Sequence, residues 1–213
     1  MMFGTSKNLS GVGALLIVIG SLGFAVPYAG ILSLIGVILL FIGLKGLAGI
    51  YSDAGIFNNA LYAIVIAIVG AVVAVASIVI TALSTLASLG IQLTNVSDWS
   101  TFGTELANRL ANLQDFSILF NLIGALIIAV IIVVVFAIVA VFFFRKSLST
   151  LAAKTGVGLF GTAGLLMLVG AVLTIIVIGA LLVWIAWILV AVAFFRIREQ
   201  PAQAPPPPAP PPL

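Results

Sequence analysis

Apolar residues fall in runs of two lengths, and the polar breaks between them divide the chain. Residues 11–26 and 31–44 are short apolar runs separated by Pro27-Tyr28-Ala29-Gly30, a tight-turn signal. With its flanks, each gives a helix of roughly 25–30 Å, just long enough to cross a bilayer. Residues 45–59 mix polar and apolar positions and read as an interfacial connector, with Asp53 or Asn58 as candidate helix N-cap. Residues 61–89 form a longer apolar stretch. Residues 90–115 hold most of the polar loop positions, with Leu106, Leu110, Leu113 and Phe116 at helical spacing, the pattern of an amphipathic helix lying on the membrane. A fourth apolar run follows, then a short polar connector over 146–155. Residues 156–195 are too long for one crossing and split near 174–179. The pattern predicts an all-α polytopic bundle of six spans, at about 10–26, 30–45, 60–88, 116–144, 157–174 and 178–196. The first and last pairs are short helical hairpins. The segment 90–115 is an extracytoplasmic loop, and 199–213 is a disordered proline-rich tail.

Composition changes the solvent. The chain is 64% apolar and 6% charged, where a soluble domain is about half apolar and a quarter charged. Too few charges exist to coat a water-facing surface, so the partner is the lipid bilayer. Cysteine and histidine are absent. That excludes disulfides, zinc, haem and blue-copper sites built from the usual ligands, and catalysis through a histidine base or cysteine nucleophile. No cofactor is expected. With six spans, Lys7, Lys45, Arg145, Lys146, Lys154, Arg196 and Arg198 share one side, and Arg109 stands on the other beside Asp98, Glu105 and Asp115. The positive side is cytoplasmic, which puts both termini inside a multi-pass cell-membrane protein. The net charge of +3 therefore reads as orientation, not nucleic-acid binding. The first run has the length of a signal peptide, but its one preceding charge, the lack of a small-x-small site and Pro27 favour an uncleaved span.

The stretch GVGLFG, residues 156–161, has the spacing of a dinucleotide-binding loop. Its context does not fit: no strand precedes it, an apolar run follows, and no acidic residue stands about 20 positions on. No nucleotide is expected, and the glycines read as small residues that let helices approach closely. A shift of 150 residues aligns the two short hairpins, Gly11 on Gly161, Gly20 on Gly170 and Ile35 on Ile185, which suggests a parallel internal repeat. In the third span Ala63, Ala67 and Ala71, with Gly70 and Ala74 beside them, make a small-residue face. Ser77, Thr81, Ser84 and Ser88 share one face of its outer half, and Ser117 and Asn121 share one on the fourth span. These six are candidates for interhelical hydrogen bonds or for a polar path. Lys45, Arg145, Lys146, Arg196 and Arg198 are inner-face anchors, and for the last four anionic headgroups are a further reading. Asn95-Val96-Ser97 is a candidate glycosylation site at Asn95. Asn8-Leu9-Ser10 also matches but lies on the cytoplasmic side.

The segments KNLSGVGALLIVIG, GLKGLAGIYSDAGIFNNALY and TIIVIGALLVWIAWILVAVAFFRI resemble a mostly archaeal family of membrane proteins known as domain of unknown function 996. The resemblance runs to about Arg198. It implies a multi-span integral membrane protein and carries no activity, cofactor or catalytic residue. No Asp, Glu, Lys or Arg sits deep in a span, which argues against a proton-coupled pump. No nucleophile–base set, paired carboxylates or metal ligands stand in the spans, which argues against an enzyme. The reading is a non-enzymatic protein acting by association, as a homo-oligomer or with a membrane protein partner. The alternative is a passive channel or carrier for a small neutral solute.

Overall fold

The computed structural model describes residues 3–24, 28–90, 99–111, 117–175 and 178–198, and these are helical apart from short turns. The helices are α1 (Phe3–Gly20), α2 (Ala29–Ile50), α3 (Ala54–Ser88), α4 (Trp99–Ala111), α5 (Ser117–Thr155), α6 (Leu159–Val172) and α7 (Ile178–Arg196). A 3₁₀ turn follows α1 at Ser21–Phe24 and another follows α6 at Leu173–Ile175. α1, α2, α3, α5 and α7 are long and apolar enough to cross a membrane; α6, at 14 residues, is shorter. The expected amphipathic helix is α4, where Phe102 and Leu106 are half-buried. Leu113, Phe116 and the tail 199–213 lie outside the described residues.

Polar residues do not end the helices where the pattern placed the connectors. α2 runs to Ile50, so the 45–59 connector shrinks to the turn Tyr51–Asp53. Asp53 caps α3, its carboxylate accepting the Gly55 N–H at 3.0 Å. α5 continues through 145–155, expected to be a connector. Leu148 and Leu151 extend the buried stripe of Phe144 by one more turn of helix while Lys146, Ser149 and Lys154 face outward. It ends at Gly156, whose φ of 72° is the left-handed conformation of a helix C-cap and whose N–H donates to the Ala152 carbonyl at 3.0 Å.

The six long-axis helices pack in antiparallel pairs, α1 on α2, α3 on α5 and α6 on α7, and the pairs join through α2 on α3, α5 on α6 and α7 on α1. Each helix thus has two neighbours and the ring closes. Small residues set the spacing. A Cβ on Gly13 would lie 2.5 Å from the Leu40 nitrogen and 2.6 Å from the Gly36 oxygen; Gly70 sits against Phe136, and Gly170 against Gly179 and Val183. Along the α1–α7 seam Lys7 Nζ donates to the Ile197 carbonyl at 3.0 Å and Trp184 Nε1 to the Val18 carbonyl at 3.4 Å. The start of α1 therefore meets the end of α7. One apolar cluster fills the ring at this end, with Leu40, Leu44, Leu148, Phe160 and Phe194 at its centre.

Burial shows three copies of one plan. On the first helix of each pair the buried positions are Ser10, Ala60 and Phe160, then Gly13, Ala63 and Ala163, then Gly20, Gly70 and Gly170. On the second they are Gly36, Ala140 and Ala186; Leu40, Phe144 and Val190; Gly43, Ser147 and Ala193; Leu44, Leu148 and Phe194; and Leu47, Leu151 and Ile197. The shift of 150 between the first and third pairs thus extends to a middle copy, displaced by 50 on its first helix and 104 on its second. A side-chain contact fixes that register. A Cβ on Gly43 would lie 2.6 Å from the Ser6 oxygen; Ser147, 104 positions on, donates to the carbonyl of Ile56, 50 positions on from Ser6. The following turns match as well, since Ser52 and Gly156, 104 apart, both have positive φ.

The middle pair is elongated. Between equivalent positions the short pairs have 15 residues (Gly20 to Gly36, Gly170 to Ala186) and the middle pair 69 (Gly70 to Ala140). The extra length forms an overhang beyond the ring. In α3 no residue from 75 to 88 is buried, and over 120–133 of α5 only Ala129 is.

Candidate functional site

The cationic end of the ring gathers the residues with chemistry. Asp53 pairs with Lys154 at 3.4 Å, tying the start of α3 to the end of α5 across a half-open surface. Lys146 lies over the Phe142 ring, 5.3 Å from its centroid. Ser147 is fully buried and donates to the Ile56 carbonyl at 2.5 Å. Tyr51 stacks edge-on against Phe3, and burial pushes its phenol above the ordinary value. Lys45, Lys146, Arg196 and Arg198 are exposed and Arg145 is half-buried, its stem lying against Gly164.

At the α1–α7 seam this end opens into a cavity of about 1030 Å³. Lys7, Arg196 and Arg198 line it, with the turn Thr155–Leu159 forming another wall. Among the described residues no acidic side chain lines it. Lys7 was not among the sequence candidates because one charge near a terminus carries no pattern; its approach to Arg196 and Arg198 exists only once α1 packs on α7.

The glycines of GVGLFG take a different role from the one expected. A Cβ on Gly156, Gly158 or Gly161 would meet nothing within 4 Å, so none lets helices approach closely. Gly156 ends α5 and Gly158 stands at the N-cap of α6 without a side-chain cap. The context is helix–turn–helix rather than strand–turn–helix. The close-packing glycines lie elsewhere, at 13, 36, 43, 70, 170 and 179.

The small-residue face of α3 also shifts. Ile56, Ala60, Ala63, Gly70 and Ala74 are buried, at steps of three, four and seven residues, whereas Ala67 and Ala71 are exposed. The hydroxyl stripe turns inward on its own helix. Ser77 donates to the Val73 carbonyl at 2.8 Å, Thr81 to Ser77 at 2.9 Å, Ser84 to Thr81 at 2.9 Å and Ser88 to Thr85 at 2.7 Å. These are the short-range bonds a helical Ser or Thr makes to a preceding carbonyl, so the donors do not bridge to α5 as expected. Asn121 is exposed on α5, and the side chain of Ser117 lies outside the described residues, as does the Asn95 sequon. Asn8 is exposed on α1. Among the described residues no group of three or more acidic, His or Cys side chains could hold a metal ion.

The chain is similar to "Uncharacterized protein MJ1644" of Methanocaldococcus jannaschii, with 25% identity over 198 residues, 91% of this chain and 92% of that protein. No solved structure matches it. The family described as "Protein of unknown function (DUF996)" matches residues 32–188, from the second helix of the first pair to the second helix of the third. With most of the ring inside that match, the chain belongs to the DUF996 family.

Proposed function

We propose that this chain is a six-span membrane protein with both termini in the cytoplasm, and that it acts by association rather than catalysis. The overhang of α3 and α5 carries the reading. The apolar stretch 61–89 of α3 is about 43 Å long at 1.5 Å per residue, against a hydrocarbon layer of about 30 Å. Tilt alone would have to reach about 45°, beyond the usual range. Large apolar side chains cover this overhang and are open, with Val72 62%, Ile80 67% and Phe120 73% exposed. At fractions of a kcal/mol per Å of mismatch, leaving about 13 Å unmatched costs on the order of several kcal/mol. Packing against a second copy or a partner's helices relieves that cost. A passive solute pathway has less support, because the stripe that would line it directs its hydroxyls to its own backbone and Leu and Phe side chains fill the ring.

The chain has no native cysteine, so single cysteines report cleanly. Ile80→Cys and Phe120→Cys should form intermolecular crosslinks in native membranes or give a stoichiometric partner adduct, while Ile42→Cys on α2 should not. A strictly monomeric, partnerless protein in mild detergent, with no crosslink at either overhang position, would refute the association. Orientation is tested separately. Thr150→Cys should react with an impermeant maleimide only after the membrane is opened, and Gly103→Cys before; the reverse order would invert the topology.

A further inference from the structure

We infer that the cavity between the start of α1, the α5–α6 turn and the end of α7 binds a phosphate-ester anion at the membrane surface. The repeat supplies the comparison that carries this. The turn between α2 and α3 and the turn between α5 and α6 are equivalent, with Ser52 and Gly156 in the same left-handed conformation. At the first turn the chain supplies its own anion: the Asp53 carboxylate accepts the Gly55 N–H and pairs with Lys154. At the second turn Val157-Gly158 stands in its place, and α6 begins with no side-chain cap.

Three cations share a cavity with the turn where the carboxylate is lacking. Lys7, Arg196 and Arg198 line the same cavity of about 1030 Å³. Lys7 donates to the Ile197 carbonyl at 3.0 Å, one of the three bonds its ammonium can make. Among the described residues no acid lines the cavity to neutralise them. Val157, Phe160 and Thr162 already donate their N–H groups to Thr155 Oγ1, Val157 O and Gly158 O, so the three cations, set at the positive end of α6, supply most of the donors and the charge that a phosphate takes. Phe3, Leu159 and Phe195 line the remainder, an apolar wall suited to the glycerol and upper acyl region of a lipid. The ligand is a phosphate ester, supplied by an anionic lipid headgroup or by a soluble phosphate ester, for which inorganic phosphate serves as the probe. The inference is independent of association through the overhang.

The test uses the full-length chain in mild detergent, with its tail. Glu199, next to Arg198, lies outside the described residues and so stays in competition. Native mass spectrometry would compare retention of phosphatidylglycerol with phosphatidylcholine of the same acyl chains, and thermal unfolding would be followed with and without inorganic phosphate. Phosphatidylglycerol should be retained over phosphatidylcholine, and the double variant Arg196→Gln, Arg198→Gln should weaken that retention about tenfold or more. Lys45→Gln, at the same membrane level but outside the cavity, should leave it unchanged. Lipid retention that inorganic phosphate does not disturb assigns the site to a headgroup. Stabilisation by inorganic phosphate alone, lost in the double variant, assigns it to a soluble phosphate. The inference is overturned if neither probe binds, or if the double variant, unfolding at the wild-type temperature without ligand, binds both as wild type does.

Discussion

Replacing Gly13 by alanine tests whether the spacing of the first pair is set by backbone contact. The new Cβ would lie 2.5 Å from the Leu40 nitrogen, 2.6 Å from the Gly36 oxygen and 3.0 Å from the Leu40 Cα, where ordinary contact begins at 3.4 Å. All three neighbours are backbone atoms, so no side chain can rotate away. The helices must part by about 0.9 Å to bring the shortest contact to that limit. A gap of 0.5–1 Å forfeits a quarter to a half of each contact's dispersion energy along the crossing, and overpacking of this kind costs about 1–3 kcal/mol. Gly161→Ala is the matched control, because its Cβ would meet nothing within 4 Å and the cost should stay within about 0.5 kcal/mol. Unfolding both variants reversibly in mixed micelles with increasing SDS, followed by tryptophan fluorescence, measures the difference. Equal stability of the two would mean that α1 and α2 do not pack through Gly13, and the register built on that contact would fall with it.

Asp53→Ala removes the α3 cap and the Lys154 pair together and should cost about 1 kcal/mol, nearly all from the cap. Asp53→Asn, which keeps a capping oxygen, should recover most of that loss in the same unfolding assay. Gly156→Ala forces a Cβ into a φ of 72° and should destabilise by about 1 kcal/mol even though space is open around it. Burial raises the folded pKa of Tyr51 above its unfolded value, so the stability it contributes is complete below pH about 10 and is lost as pH rises through the folded pKa. Tyr51→Phe should flatten that alkaline decline, and a phenolate titration without a component above the ordinary range would refute the shift.

The apolar runs made the helices and their pairing legible, because a period of 3.6 and a length near 15 residues admit few other structures. Helix ends were less legible. Lys146, Ser149 and Lys154 read as loop, yet they are the outer face of a helix whose inner face, Leu148 and Leu151, is fully buried. The 150-residue shift was visible because the first and third pairs have loops of equal length. The middle copy was hidden by its extra length, which splits one shift into two. GVGLFG and the hydroxyl stripe were misread for a common reason: glycine and serine have both local and long-range uses, and only the neighbouring helix decides between them. The cavity needed the structure, since Lys7 and Arg198 meet only when the ring closes.

A closed ring of six helices requires nearly equal spacing at every seam, and the repeat shows how the sequence achieves it. At two levels of the second helices the residues are small in all three pairs, Gly36, Ala140 and Ala186, then Gly43, Ser147 and Ala193. Between these levels stand larger side chains, Leu40, Phe144 and Val190, that fill the interior. Small residues draw the backbones together while the large ones prevent collapse. Ser147 keeps the size of the series and adds a hydrogen bond to Ile56, a tie placed in the one pair whose long arms could lever it open. The overhang has no such alternation. Ile78, Ile80, Leu83, Phe120 and Ile127 stand exposed on it beside the Ser77–Ser88 hydroxyl stripe, and Ala129 is the single buried position of 120–133. A surface that exposes many large apolar groups and buries almost none is not finished by its own chain. The ring is therefore the self-sufficient part of the molecule, and on the proposed reading lipid or another protein completes the arms of α3 and α5.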